Sequence, residues 1–275
     1  MRKEEVEDLE VALLLEAIHR RYGHDFRSYS RVSIKRRIRN VLGRTKLGTI
    51  SEMISAVIHD ESFFEEVLHD LSITVTEMFR DPEFFRSLRK QIIPYLKTHP
   101  YVRIWHAGCA TGEEVYSLAI VLEEEGFYER TTIFATDFND TALSKAREGI
   151  YPLEKMKEFT ANYQRAGGTG SFAQYYHAGY DAVILEPSLR KNITFANHNL
   201  VTDGVFSEMH LVICRNVLIY FDKTLQNRVL QLFRDSLVHG GILALGSKES
   251  LQFSEVANDF KTLSEKWKIY QKTAL

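Results

Sequence analysis

A glycine-bearing loop, Ala107-Gly108-Cys109-Ala110-Thr111-Gly112, and the two acids after it, Glu113 and Glu114, are the first residues here whose types and spacing suggest chemistry. Glycines in such a loop let a ligand approach the backbone closely. The full G-x-G-x-x-G spacing is missing, and so is the lysine of a phosphate loop. Thr111 and Glu114 fit a capping box, with Thr111 as N-cap. Two carboxylates at a helix start repel a pyrophosphate and tolerate a cation. That argues against NAD or ATP and for S-adenosylmethionine, whose ammonium and sulfonium are positive. The plainer alternative is an ordinary glycine turn with a good cap. The apolar run TIFATD ends at Asp137, in ATDFND. An acid there can accept hydrogen bonds from both hydroxyls of a ribose, or it can cap a helix. The ten histidines show no metal-ligand spacing, so no metal is expected. Cys109 and Cys214 read as small buried residues, since no His–Asp relay accompanies them.

These residues need elements to hold them. VRIWHA (102–107) reads as a buried strand and 112–125 as the helix after it. TIFATD (132–137), NITFANHN (192–199), LVICRN (211–216), GILALGS (241–247) and WKIYQK (267–272) read as further strands. Helices fill 140–148, ending at Gly149, and 223–239. Strands alternating with helices imply a mostly parallel sheet covered on both faces. Trp105 and Trp267 are expected in strands as core, His106 as structural, and Phe79, Phe84, Phe85 and Phe221 as core. Residues 160–190 break the alternation, and GGTGSFAQYYHAGYDAVIL predicts an inserted antiparallel hairpin.

Residues 1–73 read as helices only. The first spans about 4–21, with Val6, Leu9, Leu13 and Ala17 in its apolar stripe and Gly23 stopping it. The basic stretch 31–46 follows, then helices at about 50–59, with Thr49 as a possible cap, and 61–71. Segment 72–80, SITVTEMFR, looks extended, and Asp81-Pro82 opens another helix.

With 275 residues, 44% hydrophobic and 26% charged, the chain can bury a sizeable core. No apolar run is long enough to cross a membrane, and the acidic N-terminus does not read as a signal peptide. Two cysteines and no leader make a cytoplasmic setting the expectation. The net charge of −2 hides an asymmetry: residues 21–50 carry nine Lys or Arg against one acid, and 113–129 six acids against no base. On the basic helix Val32, Ile38, Val41 and Leu42 can share a face, leaving Lys35, Arg36 and Arg39 outward. That face is either a solvated surface or a dock for an acidic partner. Nucleic acid is disfavoured, because no aromatic residues interleave with the basic ones.

Four segments together resemble the CheR-type protein-glutamate methyltransferases of bacterial chemotaxis: SITVTEMFRDPEFF (72–85), RIWHAGCATGEEVYSLAI (103–120), FATDFNDTALSKAREGIY (134–151) and VICRNVLIYFDKTLQ (212–226). The likeness runs from about residue 10 to 272. It implies a Rossmann-like class I methyltransferase sheet with helices on both faces, a small all-helical N-terminal domain (1–73), a linker and connecting helix (74–100), and a methyltransferase domain (101–275) with an inserted antiparallel β-subdomain at about 160–190. It implies S-adenosylmethionine as cofactor, S-adenosylhomocysteine as product, and a chemoreceptor cytoplasmic domain as partner. Neither nucleic acid nor membrane insertion is implied, and the chain is expected to act as a monomer.

By the same resemblance Thr74, Thr76 and Arg80 fall at the methionine end of the cofactor and the reaction centre, although enteric members have Asn where Thr74 stands. Ala107, Gly108 and Glu113 belong to the cofactor loop. Asp137 matches the ribose acid, and Asn199 and Leu200 a pair flanking the adenine. Arg215 and Asn216 follow the fourth strand as cofactor residues, and Tyr220 faces the reaction centre. Arg80 and Tyr220 are the expected catalytic residues, and Arg36, Arg37 and Arg39 of the basic helix the expected receptor dock. A glutamate, with a pKa of about 4.3, is already ionised at neutral pH, so attack on a sulfonium methyl needs no general base. Alignment in a dry site is what remains for the protein. Two other functions stay open: a methyltransferase of the same fold with another acceptor, and a non-catalytic cofactor-binding adaptor.

Overall fold

The switch in apolar spacing near residue 100 is realised as a switch in architecture. A computed structural model describes residues 2–72, 76–205 and 207–273. They form two compact units, Met1–Ile73 with Ile219–Arg228, and Thr74–Leu218 with Val229–Leu275.

The first unit holds α1 (Lys3–Tyr22), α2 (Arg31–Arg44), α3 (Ile50–His59) and α4 (Glu61–Leu71). Gly23 ends α1 in the left-handed conformation at φ 79°, as Gly can without a Cβ clash. Thr49 Oγ1 caps α3 by accepting the Glu52 N–H at 3.2 Å, and the Asp60 carboxylate caps α4. The buried stripe of α1 is Val11, Leu14, Leu15 and Ile18. The expected stripe is on the wrong side, for Val6, Leu9 and Leu13 are 42%, 50% and 50% exposed. Both sets have helical spacing, and packing selects the set with two adjacent residues per turn. On α2, Ile34, Ile38 and Val41 are buried, while Val32, expected inward, is 81% exposed.

The second unit begins with short helices α5 (Pro82–Ser87) and α6 (Ile93–Leu96). No strand forms over 76–80, where Met78, Phe79 and Arg80 make a turn. Next come β1 (Val102–Ala107), α7 (Glu113–Glu124), β2 (Thr131–Asp137), α8 (Asp140–Glu148), β3 (Ile150–Pro152), α9 (Met156–Arg165), β4 (Tyr176–Ala178), β5 (Ala182–Leu185) and β6 (Ile193–Asn197). Then follow β7 (Met209–Cys214), α10 (Lys223–Ser236), β8 (Leu237–Leu245), β9 (Phe260–Ser264) and β10 (Ile269–Lys272). The main sheet runs β6-β2-β1-β7-β8-β10-β9. Pairs from β6 to β8 are parallel, and β8–β10 and β10–β9 antiparallel. The doubly wound, mostly parallel sheet expected of a class I methyltransferase is therefore present.

The predicted hairpin is larger than its expected bounds. A three-stranded antiparallel sheet, β3-β5-β4, starts at residue 150, and α9 lies between its first two strands. Strand β9 was unforeseen. Trp105 is core, its indole N–H donating to Thr136 Oγ1 at 2.8 Å. Trp267 is only half-buried and sits in the turn before β10, under the Lys266 ammonium.

Candidate functional site

Four parallel strands deliver their carboxyl ends to one edge of the sheet. The chain runs from β1 outward through β2 to β6, then restarts on the other side of β1 with β7. The crevice between diverging connections at such a reversal is where open α/β sheets bind ligands. The loops after β1, β2, β6 and β7 carry Ala107 and Gly108, Asp137, Asn199 and Leu200, and Arg215 and Asn216. Residues spread over 109 positions of sequence are thus gathered by topology alone.

The β1 loop is anchored from below. Gly108 and Cys109 donate their N–H groups to Thr136 O at 2.8 and 2.9 Å. Gly108 is left-handed at φ 74°, and a Cβ there would lie 2.5 Å from Val217 Cγ2, so only glycine fits. Asp137 accepts the Ala110 N–H at Oδ2 (2.9 Å) and the Asn139 N–H at Oδ1 (3.0 Å). Each oxygen keeps a second lone pair for a ligand. Burial raises its pKa above the ordinary value, against those backbone donors.

The capping box is not what forms. Gly112, at φ 91°, is the N-cap of α7, and Thr111 Oγ1 donates to Glu113 Oε2 at 2.7 Å. A residue in this left-handed cap turns Thr111 away from the helix N–H groups. Glu113 is 8% exposed, and its burial pushes the carboxyl up to about 7. Burial opposes ionisation of Glu114 as well, but Arg215 and His106 hold it below the usual carboxylate range.

Arg215 is the centre of a buried charge cluster. Its guanidinium reaches Asp81 Oδ2 at 2.5 Å and Glu114 Oε2 at 2.7 Å, and His106 Nε2 lies 3.3 Å from Glu114 Oε1. Its Cζ sits 4.1 Å above the Phe84 ring. Both faces of its charge are taken up within the protein. Arg80 differs: among the described residues its guanidinium meets no carboxylate at ion-pair distance. Asn216 is left-handed at φ 62°, and its buried Oδ1 has no partner among the described residues. Glu249 accepts N–H groups from Asn216 (3.1 Å), Val217 (2.9 Å) and Gly246 (2.6 Å), clamping this loop. Asn199 folds its own Oδ1 back onto the Val201 N–H at 2.9 Å, and Leu200 beside it is 7% exposed.

Four of the six non-glycine residues with positive φ, among those described, lie here: Phe79, Asp81, Ala110 and Asn216. Each such conformation costs about 1–3 kcal/mol, and such strain gathers at functional sites. Thr74 lies outside the described residues, and Thr76 is half-buried with no regular structure. Asp81 and Glu249 carry no expectation as site residues, and Glu114 is expected only as an acid of the helix start and not as the partner of Arg215. The signal for Asp81 is its place beside Arg80; Glu249 has none.

Tyr220 belongs to the helical unit, where its ring lies 5.6 Å from the Arg37 guanidinium. Arg37 also donates to Asp70 O at 2.8 Å. Arg39 pairs with Glu7 at 2.5 Å, Lys35 with Asp8, and Arg44 with Asp70, while Arg36 is exposed. Much of the basic stretch is thus neutralised by acids of α1 and α4.

The buried Asn216 Oδ1, which has no partner among the described residues, and the two acceptor oxygens of Asp137 are the polar groups these strand ends offer a ligand. The family model described as CheR methyltransferase, SAM binding domain, matches residues 74–269. That of its all-alpha domain matches 9–72. A Pseudomonas putida protein carrying the name methyltransferase Cher3 is 50% identical over 99% of this chain and 100% of its own. The chemotaxis protein methyltransferase of Listeria innocua is 33% identical over 85% of this chain and 87% of its own. That of Salmonella typhimurium is 32% identical over 82% and 76%. The solved N-methyltransferase NodS of Bradyrhizobium japonicum, bound to S-adenosylhomocysteine, aligns with 59% of this chain and 61% of its own at 16% identity and a TM-score of 0.34.

Proposed function

The chain belongs to the CheR methyltransferase family and carries its S-adenosylmethionine-binding domain, and from that premise we propose that it esterifies glutamate side chains on the cytoplasmic helices of a chemoreceptor. The observation that carries this reading is the pair of family models that together span residues 9–72 and 74–269, with relatives named as chemotaxis methyltransferases.

When bound, S-adenosylmethionine supplies an electrophilic methyl group on a sulfonium. Ala107 and Gly108 belong to the loop that would hold the cofactor, and Asp137 offers its free lone pairs to the ribose hydroxyls. Asn199 and Leu200 flank the adenine. Glu113 would supply the counter-charge for the ammonium. Asn216 Oδ1 gains a donor it otherwise lacks. Arg80, whose guanidinium forms no ion pair with a carboxylate among the described residues, would hold the cofactor's carboxylate through its fork. Thr76 and Thr74 flank that end. The roles of Tyr220 at the reaction centre, and of Arg36, Arg37 and Arg39 as a receptor dock, rest on the family resemblance. The exposed Arg36 suits such a dock best.

The attacking carboxylate is ionised without help, so no base has to be found among these side chains. Opposite charges would cancel in such a transfer, which favours a site that excludes water. The test uses methyl-labelled S-adenosylmethionine with receptor-containing membranes of the source cell. Label that enters protein and leaves as methanol under mild alkali is the expected result, since only carboxyl esters behave so. Stable label in protein, or label in a small acid, would replace the receptor carboxylate with another acceptor. No label despite cofactor binding would make the chain an adaptor.

A further inference from the structure

Arg80 stands between two left-handed residues, Phe79 and Asp81, each at φ 54°. Neither is glycine, so the surroundings must hold this turn. On one side Phe79 donates its N–H to Ser117 Oγ at 2.8 Å, and its ring packs against Phe85, Tyr163 and Phe172. Asn162 Nδ2 donates to Met78 O at 3.3 Å. On the other side one guanidinium does the work. Arg215 Nη2 meets Asp81 Oδ2 at 2.5 Å, and Nη1 meets Glu114 Oε2 at 2.7 Å and Arg80 O at 3.5 Å. Arg215 is therefore joined to the backbone of Arg80, to the residue after it, and to the first turn of α7. Its side chain is 1% exposed and already faces two carboxylates, which leaves it unsuited to bind a further anion.

The geometry points to Asp81 and Arg215 as positioning residues that aim the Arg80 guanidinium, with Arg215 tying that turn to the cofactor loop's helix. The inference rests on the reading that Arg80 holds the cofactor's carboxylate. It assigns Arg215 a different task from the direct cofactor contact its place after β7 suggests.

A double-variant cycle decides it, read by calorimetric titration of S-adenosylhomocysteine into the whole protein, with no acceptor required. Asp81→Asn is the probe, because Asn tolerates the left-handed conformation and Arg215 keeps Glu114 as its counter-charge. Asp81→Asn is expected to weaken binding about tenfold when residue 80 is Arg, and less than about twofold in the Arg80→Ala background. Arg215→Lys, which keeps a cation but loses the fork, is expected to show the same dependence on residue 80. Equal losses in both backgrounds, or no loss in either, overturn the proposal, because a merely structural Asp81 acts whatever stands at position 80. Arg80→Ala on its own tests the reading beneath. If it binds as tightly as the parent, that reading fails, and any loss caused by Asp81→Asn is structural.

Discussion

At the scale of single residues, Glu113 is the one whose environment makes the sharpest claim. A buried carboxyl with its pKa raised to about 7 is mostly neutral in mildly acidic solution. The folded value exceeds the unfolded one, so the favourable contribution is complete below about pH 4.5 and is lost as pH rises through about 7. Without ligand, stability is expected to fall across that window by about 2–3 kcal/mol, and Glu113→Gln to flatten the fall. Urea titrations at pH 5, 6, 7 and 8 measure this; an unchanged slope in the variant would assign the fall to other groups. A cationic ligand beside Glu113 favours the ionised form. Binding of S-adenosylhomocysteine should therefore release a proton and tighten from pH 6 to 8, more weakly so in Glu113→Gln. The acids flanking the loop were legible in the sequence, and so was their preference for a cation. That Glu113 and Glu114 divide, one raised and one lowered, was not. It depends on Arg215, which lies 101 positions from Glu114.

Among the elements, the loop after β7 is the least secure by local rules and the best tied by distant ones. Asn216 is left-handed, yet Glu249, itself 5% exposed, accepts three N–H groups from two segments. Glu249→Ala strands those donors, each unsatisfied group costing about 1–3 kcal/mol where water does not enter. A loss of about 3 kcal/mol of stability and at least about tenfold weaker binding of S-adenosylhomocysteine are expected. Denaturation and calorimetry report the two; full affinity in a destabilised variant would detach Glu249 from the site. Strands β1, β2, β6 and β7 were readable as short apolar runs ending in turn residues. Strand β9, FKTLS, was not, because it is an exposed edge strand with no apolar alternation. The first strand of the small sheet, Ile150–Pro152, was missed for want of length.

For the molecule as a whole, the helical unit is not continuous in sequence. Ile219–Arg228 packs with the N-terminal helices. Ser30 donates its N–H to Tyr220 O at 2.7 Å, and Asp222 its N–H to Ser28 O at 2.9 Å. The Phe221 ring meets Tyr29 edge-on at 5.0 Å. Phe221 is 5% exposed, so Phe221→Ala is expected to remove about 3 kcal/mol, with hydrogen-exchange protection falling first around residues 26–30. Loss of protection in β1 and β7 instead would place Phe221 in the core of the sheet unit. Apolar periodicity ends the helical domain at 73 and leaves 219–228 with the sheet, since a linear pattern has no means of showing a segment that returns.

What the sequence determined by itself is the order of the site-bearing elements, the four parallel strands β1, β2, β6 and β7 with the helices α7, α8 and α10. Apolar periodicity, caps and glycine turns are local, and parallel strands with crossover helices must bring their carboxyl ends to one edge. From that edge the loop after β1 and Asp137 follow, while Asn216 rests on the family resemblance. Tertiary structure alone decided which charges remain available. Arg80 and Arg215 look alike in sequence, and only packing shows one uncommitted and the other enclosed by Asp81 and Glu114. The same holds for the basic helix, where Arg39 meets Glu7 and Arg36 is exposed. The reason is physical. Ion pairs form between residues 32, 101 or 134 positions apart, and sequence spacing encodes proximity only within a helical turn or across a tight hairpin.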